Sequence, residues 1–132
     1  MKKLLLMLVL LIATGCAGMQ QEVVAPLPNI ERTAGVGDTF FQYEMKTFPV
    51  ENNERFDLTI VELNEQNIGL QYAEYFYSSG VGVYWQGAGW KIKDGFNKRF
   101  DFVLADKVIR FRSYAFDVLS VEGGQIKYRR IK

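Results

Sequence analysis

An all-β domain, a small antiparallel β-sandwich or barrel, is the fold class this sequence predicts over residues 36–132, and three observations predict it. Apolar and polar residues alternate at period two in one segment after another. Clusters of Gly, Asn and Asp separate those segments at short intervals. After the first sixteen residues no stretch carries the apolar periodicity of an amphipathic helix. Roughly seven to nine short strands follow from this pattern, a number that suits a sandwich or small barrel.

The chain opens differently. Lys2 and Lys3 precede an unbroken apolar run from Leu4 to Ala13, and Thr14-Gly15 lead to Cys16, the single cysteine. A membrane-spanning helix needs about 20 apolar residues, and runs of about 10 to 14 suit a signal peptide or a buried helix. The basic start at the chain terminus favours the signal peptide over residues 1–15. Ala13-Thr14-Gly15-Cys16 resembles the lipobox of bacterial lipoproteins. In that family the cysteine sulfur carries a diacylglyceryl group, the signal is cut just before that cysteine, and the new terminus is acylated, with palmitate among the chains. The resemblance covers only these first residues and implies lipidation of Cys16 and a membrane anchor. For a Gram-negative envelope the same resemblance, with Ala17 and not an aspartate after the cysteine, implies delivery to the outer membrane, facing the periplasm. Ordinary signal peptidase cleavage is the alternative, and it leaves an unpaired thiol.

Cleavage before Cys16 leaves 117 residues and moves the formal charge from +1 to about −1 once the amine is acylated. That length suits one domain. A near-neutral chain gives no reason to expect nucleic acid as a partner. The sequence contains no histidine, which removes the commonest general base and metal ligand. With Cys16 acylated, thiol chemistry is removed as well.

Residues 16–35 read as the lipidated terminus and a tether. Met19-Gln20-Gln21-Glu22 is polar, Pro26-Leu27-Pro28 favours extended polyproline backbone, and no periodicity is sustained. Gly35-Val36-Gly37-Asp38 opens the domain as a turn. Phe41, Tyr43 and Met45 alternate with polar neighbours. Pro49 to Arg55, centred on Asn52-Asn53, is a polar break before Phe56, Leu58 and Ile60. Asn64 to Asn67 is another, before Ile68, Leu70 and Tyr72, whose strand extends toward Glu74 and Phe76. Glycines then punctuate two short strands carrying Val81, Val83, Trp85, Trp90 and Ile92, with a loop at Gln86 to Gly89, and Asp94-Gly95 is a hairpin pair. Phe100, Phe102 and Leu104 lead to Ile109 and Phe111. Tyr114, Phe116 and Val118 alternate, but Leu119 and Val121 fall on the other parity, which a bulge near Val118-Leu119 reconciles. Gly123-Gly124 joins that strand to Ile126, Tyr128 and Arg130 as a hairpin.

Three groups of residues are candidates for function. The aromatic stretch of Tyr72, Tyr75, Phe76 and Tyr77, with Tyr84, Trp85 and Trp90, places aromatics on both faces of a strand. One face therefore meets solvent, a second layer or a partner. Tyr75, Tyr77, Tyr84, Trp85 and Trp90 are the candidate binding residues, for Tyr and Trp suit interfaces and their rings stack on sugars. A basic set toward the C-terminus comprises Lys98, Arg99, Arg110, Arg112, Lys127, Arg129, Arg130 and Lys132. Arg110 and Arg112, sharing a strand face, are the candidates within it for an anionic partner. The plain alternative is a solvated face interspersed with Asp101, Asp106 and Asp117. Carboxylate pairs such as Asp57 with Glu62, or Asp101 with Asp117, form the third group, and nothing in the spacing holds them at a working distance. Neither Gly80-Val81-Gly82 nor Gly87-Ala88-Gly89 has dinucleotide-fingerprint spacing. No catalytic residue, metal site or cofactor is expected.

The sequence thus predicts a lipid-anchored cell-envelope protein, not an enzyme, whose β-domain is a protein-binding or assembly module. Its partners are the membrane through Cys16 and another envelope protein. The second reading is an envelope glycan- or lipid-binding lipoprotein with an aromatic groove.

Overall fold

The computed structural model describes residues 20–48, 53–78 and 89–132. Cys16 and the leader, Val81, Val83, Tyr84, Trp85, most of the expected loop before Gly89, and Asn52 lie outside the described residues. Within them the chain runs β1 (Gln20–Val24), β2 (Glu31–Gly35), β3 (Thr39–Phe48), β4 (Glu54–Leu63), β5 (Asn67–Ser78), β6 (Gly89–Val103), a 3-10 turn (Leu104–Asp106), β7 (Val108–Phe111), β8 (Tyr114–Glu122) and β9 (Gln125–Arg130). They form two antiparallel sheets, one ordered β1-β3-β4-β5-β6 and the other β2-β9-β8-β7. The fold is the predicted all-β sandwich.

Alternation builds the core. Phe56, Leu58 and Ile60 of β4 and Ile68, Leu70 and Tyr72 of β5 face inward from the first sheet, and Ile109, Phe111, Phe116, Val118, Ile126 and Tyr128 from the second. Residues two apart share a face of a strand, so each run buries one side and leaves the other to solvent. Burial of side chains this large contributes about 1.5–3 kcal/mol each.

Register shifts adjust that pattern: besides one between Ile60 and Glu62 in the β4–β5 pair, three bear on the expected strands. The β8–β9 register shifts between Val118 and Ser120, where the parity change predicts it, and leaves Leu119 exposed. The β3–β4 register shifts between Thr39 and Phe41, so that Phe40 and Phe41 are both buried, a feature the alternation from Phe41 onward does not reveal. Opposite Glu74, β6 carries four residues, Lys93 to Phe96, where β5 carries one. The expected Asp94-Gly95 hairpin is therefore corrected. Gly95 does take a left-handed φ of 80°, but the chain bulges out and rejoins the same neighbour instead of reversing.

The tether over residues 16–35 is corrected in its described part. β1 pairs with β3 from Gln20↔Phe48 to Val24↔Glu44, and β2 pairs with β9. Both are edge strands of mostly exposed residues, with Ala34 alone fully buried. Their order comes from backbone pairing with neighbours far along the chain, so local periodicity carries no sign of it. The Gly35–Asp38 turn forms as expected. The Asp38 carboxylate accepts from the Gly35 amide at 2.8 Å, and Gly37 has φ 92°. Gly123 and Gly124 both take positive φ, 58° and 75°, in a two-residue hairpin between Glu122 and Gln125.

One buried polar bond joins the sheets. The Tyr128 hydroxyl of β9 donates to the carbonyl of Phe40 in the β3 bulge, with the two rings stacked 4.2 Å apart. Tyr128→Phe leaves that carbonyl buried and unpaired, and should lower the unfolding free energy by about 1–3 kcal/mol in urea denaturation. An unchanged midpoint would mean that water satisfies the carbonyl.

Candidate functional site

Each sheet ends in a strand with a neighbour on one side only, β6 in the first and β7 in the second. Between these two edges the sandwich is open. The chain fills the opening by alternation: Phe96, Lys98, Phe100 and Phe102 leave β6 on its inner face, and Arg110, Phe111 and Arg112 approach from the other side. The result is a cleft of about 510 Å³. Its floor is aromatic, with Phe100 and Phe111 edge to face at 5.3 Å and Tyr72 at 5.6 Å from Phe111. Its rim carries Lys98, Arg110 and Arg112 against the single acid Glu74.

Arg112 is the organising residue. It lies in the β7–β8 turn, not on a strand face as expected, with φ 52°. That conformation carries its guanidinium back over the cleft floor, 4.7 Å from the Phe56 ring centre, 5.0 Å from Tyr72 and 5.7 Å from Phe111. A planar cation over aromatic faces gains about 0.5–2 kcal/mol, more as water is excluded. The same guanidinium donates to the Tyr72 hydroxyl and, at 3.2 Å, to Glu74, and the Tyr72 hydroxyl donates to the same carboxylate. Lys93 reaches the other Glu74 oxygen at 3.6 Å.

The electrostatics follow from these contacts. The Tyr72 hydroxyl bond, and after it the Arg112 bond, hold the Glu74 carboxyl below its ordinary range against the opposing effect of burial. Burial, and then the bond to Glu74, push the Tyr72 phenol well above its usual value. Tyr72, Glu74 and Arg112 also line a second hollow of about 360 Å³ with Phe56, Phe76 and Lys93, so this triad is the wall between two depressions. Lys98 and Arg110 have no ion-pair partner among the described residues. The cleft therefore presents an apolar floor and an uncompensated positive rim, suited to a group that is apolar along its length and bears a carboxylate or phosphate.

The remaining predicted residues stand elsewhere. Tyr75 leaves β5 on the outer face, under the Arg55 guanidinium at 4.7 Å, and burial followed by Asp57 raises its pKa. Tyr77 meets Trp90 across the β5–β6 pair, edge to face at 5.5 Å. Tyr75 thus shares the hollow of about 360 Å³ with Arg112, whereas Tyr77 and Trp90 line neither that hollow nor the cleft that holds Arg110. The basic set is not one surface either, for β9 and β7 are separated by β8. Lys127 pairs with Glu31 at 2.8 Å and Arg129 with Asp117 at 3.2 Å, while Arg99 bridges Glu62 and Asp101 over Gly69, where a Cβ would strike the guanidinium. Asp57 faces Arg55. The acids imagined as carboxylate pairs each stand against an arginine. Sequence reasoning missed Glu74, Phe96, Phe100, Phe102 and Phe111 as site residues. The period-two run Phe96-Lys98-Phe100-Phe102 was the available signal.

Comparison of the chain with family models, with curated proteins and with solved structures found no match.

A depressed carboxyl stabilises the fold fully above the ordinary glutamate range and loses that contribution as pH falls through the lowered value. Urea denaturation of the wild type and of Glu74→Gln across acidic pH should show the wild type more stable at neutrality, with the difference closing on acidification. A difference that ignores pH would contradict this role for Glu74.

Proposed function

We propose that this chain is a lipid-anchored cell-envelope protein whose β-sandwich is a protein-binding module, and that its cleft receives an extended segment of another envelope protein. The observation that carries the reading is the cleft's position between two unpaired strand edges. β6 can extend its sheet by pairing with an added strand along Lys98–Val103, the mode of recognition in which main-chain hydrogen bonds supply affinity and pockets for alternate side chains supply specificity. Here the alternate side chains of the incoming strand would meet Phe100, Phe102 and Phe111, and an acidic residue on it would meet Lys98 and Arg110. The bulge at Lys93–Phe96 interrupts the free edge, so the pairing segment is short, which limits indiscriminate edge-to-edge association.

The anchor rests on the resemblance of Ala13-Thr14-Gly15-Cys16 to a lipobox. In a Gram-negative envelope it places the domain on the periplasmic side of the outer membrane. The absence of histidine from the whole chain and the engagement of Asp57, Glu62, Asp101 and Asp117 with arginines support a binding role over catalysis.

Two measurements test this. Cells fed labelled palmitate should incorporate it into the wild-type chain and not into Cys16→Ser, and label in both would remove the anchor from Cys16. A photo-reactive amino acid at Val103, on the free edge, should yield one discrete adduct in intact cells that Lys98→Glu with Arg110→Glu abolishes, whereas the same group at Gln42, on the outer face, should yield none. Monomer alone from the edge position, or the same adducts from both, would contradict the proposal.

A further inference from the structure

The strands of the first sheet share one end. There β1 begins at Gln20 opposite Phe48, β4 begins at Glu54, β5 finishes at Ser78 and β6 begins at Gly89. Only Ala17, Gly18 and Met19 separate Gln20 from Cys16. At about 3.3–3.6 Å per residue, that connection spans at most about 14 Å. A lipidated Cys16 lies at the bilayer surface, so this end of the sheet is held within the depth of the headgroup layer and its immediate neighbourhood, with no spacer to carry the domain away.

The residues at this end suit that position. Phe76, Tyr77 and Ile92 are 46%, 39% and 55% exposed, and Trp90 is half-buried against Tyr77. Tyr and Trp favour the membrane–water interface, where an apolar ring meets lipid and a polar atom meets headgroups or water. The charges nearby are of both signs: Lys46 stands against Glu44, Arg55 against Asp57 and Lys93 against Glu74, and Lys91 and Glu54 add one of each. Attraction to anionic lipid is therefore a minor part of the contact. At the opposite end Asn64, Glu65, Gln66, Asp106 and Lys107 are exposed, and the exposed apolar residues there, Val36, Val61 and Val103, are valines with no Tyr or Trp beside them among the exposed residues.

We infer that this end of the five-stranded sheet is a membrane-contact surface, with Phe76, Tyr77, Trp90 and Ile92 resting in the interface of a phospholipid bilayer. The inference rests on the anchoring of Cys16. It orients the domain upright, with the strands rising from the bilayer and the β6–β7 cleft opening sideways, parallel to the membrane. A partner strand on β6 then also runs along the membrane normal.

The test uses the full-length lipidated protein in phosphatidylethanolamine–phosphatidylglycerol vesicles, with a nitroxide attached at Ile92→Cys or at Val36→Cys, both exposed positions. Mass spectrometry of the N-terminal peptide first establishes whether Cys16 is acylated. With acylation present, the ratio of oxygen to water-soluble nickel accessibility should be severalfold higher at position 92 than at 36, and raising the salt concentration should leave it unchanged. Equal, aqueous ratios at both positions on an acylated protein would overturn the membrane contact while leaving the anchor intact. An unacylated Cys16 would overturn the anchor, and the contact with it. A nitroxide at Phe76→Cys repeats the measurement on the other face of β5, should Ile92→Cys disturb the edge strand.

Discussion

The packing of the two sheets depends on the bulge at Phe40 and the hydroxyl that answers it. Alternation allows one side chain in two to enter the core, and the shift between Thr39 and Phe41 admits two in succession. The extra residue takes the Phe40 carbonyl to the second sheet, and Tyr128 supplies the donor it requires. Phe40, Phe41, Phe116 and Tyr128 then pack as one aromatic group, with centroids 4.2–5.2 Å apart in the closest pairs. A buried carbonyl without a donor is costly and a paired one is directional, so this bond sets the lateral placement of the sheets as well as adding to their cohesion.

That placement decides where the sandwich is open. Four of the five strands of the first sheet run ten to fifteen residues and the four of the second run four to nine, and the overlap centred on Phe40 and Tyr128 leaves β6 facing β7 across a gap. The aromatic residues of β6 have no opposing strand to cover them beyond Phe111. Arg112, turned back by its positive φ, closes one side of the gap with its guanidinium plane on three rings. The aromatic cleft, its charge and the depressed Glu74 carboxyl thus share one structural origin, the failure of the smaller sheet to cover the larger.

Much of this was legible in the sequence where the signal was local. The core faces of β4, β5 and β9, the Gly123-Gly124 hairpin and the bulge beside Leu119 follow from alternation, from positive-φ residues and from a break in parity. Features that depend on distant partners were not legible. β1 reads Gln-Gln-Glu-Val-Val and looks like a spacer until β3 pairs with it. Asp94-Gly95 has true turn chemistry, but whether a turn reverses the chain or makes a bulge depends on which strand receives the residues after it. Arg112 was visible as a cation, yet its role comes from a backbone conformation that no neighbouring glycine announces. The cleft itself is a property of two edges from different sheets, and only the spacing of Phe96, Lys98, Phe100 and Phe102 hinted at one wall of it.

The pairing of β1 with β3 leaves three residues between Cys16 and the sheet, and the proposed height and orientation of the domain both depend on it. Hydrogen–deuterium exchange of the full-length protein tests this most directly. Peptides covering Glu22 to Val24 should show protection comparable with that of their β3 partners, Glu44 to Lys46. Exchange at the rate of an unstructured chain before Ala25, with β3 protected, would contradict it and return the domain to the end of a free tether.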